Sequence, residues 1–188
     1  MSLTELPKDL PQPEDDGGAD HLPGLEMPPL SLLGTDGATV QLDRLPPPRT
    51  VIYIYPMTGR PDCALPEGWD AIPGARGCTA QSCALRDHAS ELRAMGAHIF
   101  ALSTQDSAYQ KEMVARLHLP FSALSDSDLA LTHALRLPTM EVEGMTLLRR
   151  MTLVIREARI EHVFYPVFPP DRSAEQVRDW LRAHPIAA

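Results

Sequence analysis

No stretch of this 188-residue chain approaches the ~20 consecutive apolar residues that cross a bilayer, so no membrane-spanning helix is expected. Positive charge is also in short supply. Lys and Arg number 17 against 25 Asp and Glu, a formal net charge of -8. Nucleic acids and anionic membranes are themselves negative, so neither is an expected partner. Cysteine is scarce and odd in number: Cys63, Cys78 and Cys83. That is too few for a disulfide-stapled secreted domain. The first twenty residues lack the basic-then-apolar pattern of a secretory signal. Together these absences predict a cytoplasmic protein. In a reducing compartment a close cysteine pair is more often catalytic or metal-binding than structural.

The apolar fraction is 44% and the charged fraction 22%, as in soluble globular chains, and the length suits one domain. Residues 1–22 are rich in Pro, Asp, Glu and Gly and predict a flexible tail, leaving 23–188 as the domain. Residues 30–33 and 39–42 read as strands of a β-hairpin about the turn Thr35-Asp36-Gly37. Residues 50–55 (TVIYIY) form a β-branched and aromatic run that fits a buried central strand. A long loop, 57–77, follows; a loop of that length tends to be functional. Helical spacing runs from Thr79 to Met95, with Ala80, Cys83, Ala84, Leu92 and Met95 near one side and Gly96 past the end. Further strands are predicted at 98–102, 121–124, 151–155 and 159–164. Further helices are predicted at 106–118 with Asp106 as cap, at 126–136, and at 173–183 with Ser173 as cap. Alternating strands and helices argue for an α/β sandwich with a partly parallel sheet, and the last strand pair adds an antiparallel edge.

Cys78 follows Gly77 and stands where the first long helix opens. Free main-chain N–H groups and the positive end of the helix dipole favour a thiolate there, the nucleophilic form, and Arg76 adds charge. Cys83 lies five residues on. On a helix that is an advance of about 7.5 Å and a net turn of about 140°, so a Cys78–Cys83 disulfide requires the first turn to unwind. Read by itself, Cys83 is equally a small core residue. A zinc site from Cys63, Cys78, Cys83 and His88 is a rival, but structural zinc sites usually carry two ligand pairs and only one is present.

The segment Gly77-Cys78-Thr79-Ala80-Gln81-Ser82-Cys83-Ala84-Leu85-Arg86-Asp87 resembles the active-site helix of peroxiredoxins of the bacterioferritin comigratory protein (peroxiredoxin Q) subfamily. Three more stretches agree in order: 102–107 (LSTQDS), 119–126 (LPFSALSD) and 150–155 (RMTLVI). The resemblance implies a thioredoxin-like three-layer sandwich with a mixed sheet and an N-terminal β-hairpin. It implies Cys78 as the peroxidatic and Cys83 as the resolving cysteine, joined in an intramolecular disulfide during turnover. It implies Arg150 as the active-site arginine, and Pro56, Thr58, Arg76 and Gly77 as the surroundings of the peroxide. It implies a peroxide substrate, a thioredoxin-like or other thiol reductant, no cofactor and no metal. An intramolecular couple needs no partner subunit, so a monomer is expected, with a dimer as the alternative.

The pattern breaks at one place. The family places a Thr or Ser three residues before the cysteine, where this chain has Ala75. The strand-ending Tyr55-Pro56 is present, but Pro56 lies 22 residues before Cys78 instead of the family's seven. If the enlarged loop folds back on itself, Thr58 supplies the missing hydroxyl, and the Pro73-Gly74 turn replaces the missing proline. Trp69 in that loop either shields the sulfur or pins the loop, pinning being favoured, and Cys63 is either an alternative resolving thiol or incidental. The altered loop also motivates a second function: a dithiol reductase or redox sensor of the same fold without efficient peroxidase activity.

Overall fold

The computed structural model describes residues 6, 7 and 9–186. A hairpin, β1 (Ser31–Gly34) and β2 (Thr39–Gln41), turns through Gly37 at φ 84°, with the Asp36 carboxylate accepting from the Ala38 N–H at 3.0 Å. The central strand β3 (Arg49–Ile54) is buried throughout. Then come α1 (Cys78–Ala94), β4 (Ala97–Ser103), α2 (Ser107–Arg116), β5 (Ala123–Ser125) and α3 (Ala130–Leu135). The chain closes with a hairpin, β6 (Thr139–Val142) and β7 (Met145–Leu148), then β8 (Met151–Arg156), β9 (Arg159–Phe164) and α4 (Ser173–Ala183). No helix among the described residues is long and apolar enough to cross a membrane.

Seven strands form one mixed sheet in the order β2-β1-β5-β4-β3-β8-β9. β3 pairs parallel with β4 and antiparallel with β8, so it has sheet on both edges as well as cover on both faces. Side chains alternate across a strand, and β3 divides accordingly. Val51, Tyr53 and Tyr55 join a core with Leu85, Ala89 and Leu92 of α1, Met113 of α2 and Val177 and Leu181 of α4. Ile52 and Ile54 join the opposite core, with Leu131 and Leu135 of α3 and with Ala19, Leu22 and Met27. This is the α/β, thioredoxin-like sandwich that the motifs imply, with the hairpin at the sheet edge against β5.

Several local readings need correction. The inward row of α1 is Ser82, Leu85, Ala89 and Leu92, at helical spacing, while Cys83 and Ala84 are half-buried beside it. Ser173 is the first residue of α4 and not its cap; its buried hydroxyl has no partner among the described residues. α3 begins at Ala130, and Asp126 serves its start from a distance: its carboxylate accepts from the N–H groups of Leu131 and Thr132, both at 2.9 Å. The β6–β7 hairpin was not anticipated. Its signal was the Glu143-Gly144 pair, both at positive φ, which suits a two-residue hairpin turn.

Residues 1–5 and 8 of the tail lie outside the described residues. From residue 9 the chain runs along the body, and Pro13, Ala19 and Leu22 are buried, so packing begins before residue 23. The Asp16 carboxylate accepts from the Tyr165 hydroxyl at 2.8 Å and lies 4.0 Å from the Arg149 guanidinium.

Candidate active site

α1 opens where β3 has ended and the enlarged loop returns. Gly77 caps the helix at φ 107°, a conformation that L side chains rarely adopt. A Cβ there would also lie 2.3 Å from Cγ of Pro170. Glycine is therefore required twice over, by backbone and by space, and Cys78 is set against the 170–172 turn as the first helical residue.

Cys78 is 4% exposed. Its sulfur accepts from Nη2 of Arg150 at 3.1 Å and lies 3.6 Å from the Ala75 carbonyl. Arg150 stands just before β8, whose pairing with β3 brings it under the helix start. The same Nη2 reaches the carbonyls of Gly74 (3.3 Å), Ala75 (3.0 Å) and Arg76 (3.2 Å), and Nη1 donates to Oε1 of Gln81 at 2.5 Å. Two hydrogens on Nη2 thus serve four acceptors. None of these partners is a carboxylate, so the buried guanidinium keeps an uncompensated charge beside the sulfur. Arg76, also buried, differs: its Nη1 pairs with Asp70 at 3.1 Å. Arg150 is therefore the group that a thiolate at Cys78 would neutralise.

The enlarged loop does fold back. Met57, Gly59, Leu65, Trp69, Arg76, Gly77, Cys78 and Thr79 line one small opening. Trp69 is 4% exposed and packs with Met57, Ala75, Val142 and Leu147 in a minor core, so it pins the loop and also borders the sulfur's opening. Thr58 is fully buried and is not among the residues lining that opening; among the described residues its hydroxyl finds only the Gly59 carbonyl, at 3.5 Å. Pro56 enters through its carbonyl, which accepts from Ser103 Oγ at 3.2 Å. The Pro73-Gly74 turn lies on the arginine side, where Gly74 offers its carbonyl to Arg150. Val167, Phe168 and Pro170 wall a second small opening with Ile72, Gly74, Arg76 and Arg150. Cys78, Arg76, Gly77 and Arg150 thus come together, and the loop carrying Pro56 and Thr58 borders them.

Cys83 is half-buried on α1, packed against the core that contains Cys78, Leu85 and Leu92. All three cysteines are free thiols. Burial pushes the Cys83 thiol up from its ordinary range and Asp87 adds to this, against Arg86 and Arg116, which pull it down. In the Cys78→Ser variant, alkylation of Cys83 should therefore be slower at pH 7 than that of an unhindered thiol. Only the thiolate reacts, so the rate should climb roughly tenfold per pH unit and still be rising at about pH 9. Peptide mass spectrometry of iodoacetamide-treated protein across pH checks this; a plateau below pH 8 would contradict it.

Cys63 is exposed and lies on a groove of about 760 Å³ bordered by Met57, Leu65, Tyr109 and Leu147. His88 pairs with Glu91 at 3.0 Å. Among the described residues no three His, Cys, Asp or Glu side chains cluster in a way that could hold a metal ion. Gln81, within the helix motif, was not given a role beforehand; it enters as the acceptor for Arg150 Nη1.

Residues 22–178 match the redoxin family model. Peroxiredoxin Q of wheat chloroplasts is 29% identical over 150 residues, covering 79% of this chain but 61% of its own length, so the chain spans about three fifths of that relative. Peroxiredoxin Bcp of Escherichia coli is 28% identical over 161 residues, covering 84% of this chain and 93% of the relative. Among solved structures, peroxidoxin BcpB of Mycobacterium tuberculosis superposes with a TM-score of 0.70 at 22% identity, covering 87% of this chain and 97% of the other. Peroxiredoxin Q of Xanthomonas campestris does so with a TM-score of 0.68 at 24% identity, covering 86% and 98%. With its cysteine at a helix start, a buried arginine on the sulfur and a mixed sheet behind them, the chain belongs to the redoxin family, and the relatives it is similar to are named peroxiredoxin Q and Bcp.

Proposed function

We propose that the protein is a thiol-dependent peroxidase acting on hydrogen peroxide or organic hydroperoxides, with Cys78 as nucleophile. The observation that carries this is the buried Arg150 guanidinium, without a carboxylate partner among the described residues, 3.1 Å from Cys78 Sγ. The Cys78 thiolate attacks one peroxide oxygen, the O–O bond breaks, and the sulfur becomes a sulfenic acid; the other oxygen takes up a proton from solvent, equivalent to the one lost when the thiol ionised, and leaves as water or alcohol. Arg150 neutralises the thiolate and then the charge developing on the leaving oxygen. Cys83 condenses with the sulfenic acid, releasing water and forming a disulfide. Two thiol groups of a thioredoxin-like reductant return both cysteines to thiols by exchange. No metal or organic cofactor enters these steps. Cys78 and Cys83 share one continuous helix, so the condensation requires the first turn of α1 to open. A monomer in the cytoplasm fits this cycle.

The second reading, a dithiol switch without efficient turnover, is favoured by one observation. At Ala75 the sulfur meets a main-chain carbonyl where the family pattern has a hydroxyl. The test is peroxide consumption by the wild type under a thioredoxin system, with mass spectrometry of the oxidised protein. Steady turnover and a Cys78–Cys83 disulfide are expected, and Cys83→Ser should turn over with dithiothreitol but not with thioredoxin. A disulfide that forms and reduces while peroxide is not consumed catalytically would select the switch.

A further inference from the structure

The opening onto Cys78 is small. It encloses about 10 Å³, room for about one water, so a peroxide group fits there and a bulky substituent on it does not. Whatever the peroxide carries must lie outside. The adjoining space is the groove of about 760 Å³, and Met57 and Leu65 line both.

The groove suits a hydrocarbon. Leu65 comes from the enlarged loop, Met145 and Leu147 from β7, Leu129 from just before α3, and the Tyr109 ring from α2. Leu147 is 3% exposed and Met145 37%, so the apolar lining runs from core to surface. Its volume is typical of clefts that take small molecules. Its charges are of one sign: Asp106 and Glu143 line it, and no Lys or Arg does. Both carboxylates accept from main-chain N–H groups, Asp106 from Tyr109 at 2.7 Å and Glu143 from Glu67 at 3.0 Å. Arg60, 5.4 Å from the centre of the Tyr109 ring, is paired with Asp62 at 3.3 Å. A tail ending in a carboxylate is therefore repelled here, and a neutral tail is not.

We propose that this groove is the subsite for the uncharged hydrocarbon tail of an organic hydroperoxide whose O–O group reaches Cys78. This names the substrate class for the peroxidase reading and rests on it. The Cys78 thiolate takes the terminal oxygen and the O–O bond breaks. The oxygen on the tail takes up a proton from solvent and leaves as the alcohol. Met145 lines the groove but not the opening, so it acts on the tail and not on the peroxide group.

The experiment is the second-order rate of Cys78 oxidation by n-alkyl hydroperoxides from ethyl to octyl, followed by stopped flow. The peroxide group is chemically the same throughout, so only tail contacts change along the series. The rate should rise about twofold per added methylene, as for half-burial of each CH₂ group. Met145→Glu, which puts a charge into the groove, should remove most of that rise. Met145→Gln should weaken it, and takes the place of the charged variant if that one does not fold. Octyl hydroperoxide bearing a terminal carboxylate should react about threefold or more slowly than the parent at low salt, with the gap narrowing as salt is added. Cys63 supplies a readout that needs no turnover, because its exposed thiol lies on the groove. In Cys78→Ser, hexanol should slow maleimide labelling of Cys63, by about threefold at twice its Kd.

A flat series in the wild type overturns the groove while the peroxidase reading stands. A slope that both Met145 variants leave unchanged puts the tail elsewhere and overturns it too. Faster reaction of the carboxylate-bearing hydroperoxide overturns the neutral tail. No oxidation by any hydroperoxide overturns the peroxidase reading itself, and the groove as a site for apolar ligands then stands or falls with hexanol protection of Cys63.

Discussion

Cys78→Ser should lower reductant-dependent peroxide consumption to background, a loss on the order of 10⁴ or more, as expected when the nucleophile itself is removed. A serine hydroxyl keeps its proton at neutral pH even beside Arg150, and its oxygen is a poor nucleophile toward an O–O bond. The substitution is nearly isosteric, and the sulfur's contacts are one arginine N–H and one carbonyl. The fold should therefore survive, with the melting temperature within a few degrees of wild type. The comparison is made with a thioredoxin-coupled assay and thermal unfolding on the same preparations. Peroxide turnover that persists in Cys78→Ser and disappears in Cys83→Ser would transfer the chemistry to Cys83.

Arg150→Met keeps most of the side-chain volume and removes the charge. Loss of a donor aimed at developing negative charge costs about 10²–10³ in rate, and that is the expected fall in kcat/KM for peroxide. Stability responds to two opposed effects. The carbonyls of residues 74–76 and the Gln81 amide lose their donor, at about 1–3 kcal/mol for each acceptor left buried and unpaired. Removing an uncompensated buried cation acts the other way. The loop can relax some of its carbonyls toward solvent, so a net destabilisation of about 1–3 kcal/mol is expected in urea unfolding. Arg150→Lys preserves the charge but places it at one point, and it cannot span Sγ, the loop carbonyls and Gln81 together. Its activity should fall between wild type and Arg150→Met. Oxidation of Cys78 at the wild-type rate in Arg150→Met would remove Arg150 from the mechanism.

The central strand, the helix with a glycine-cysteine start, and the alternation that makes an α/β sandwich were legible in the residues before any fold was known. These depend on local signals: β-branched runs, helical spacing, and a glycine where the backbone turns left-handed. Short motifs in order along the chain also singled out Cys78 and Arg150, which the structure brings within 3.1 Å of each other. Tertiary structure alone decided what the enlarged loop does. Met57, Trp69 and Ala75 meet Val142 and Leu147, more than sixty residues on, only because the loop packs on the β6–β7 hairpin, whose short strands carry little signal. Tertiary structure alone also decided that Arg150, and not Arg76, brings unneutralised charge to the sulfur. Both arginines are buried, and the difference is the Asp70 carboxylate across the loop from Arg76. The hold of the Gln105 carboxamide on the Thr58 N–H and carbonyl left no trace in the sequence for the same reason. It is two hydrogen bonds between residues 47 positions apart, and no local pattern records which side chain will find which peptide.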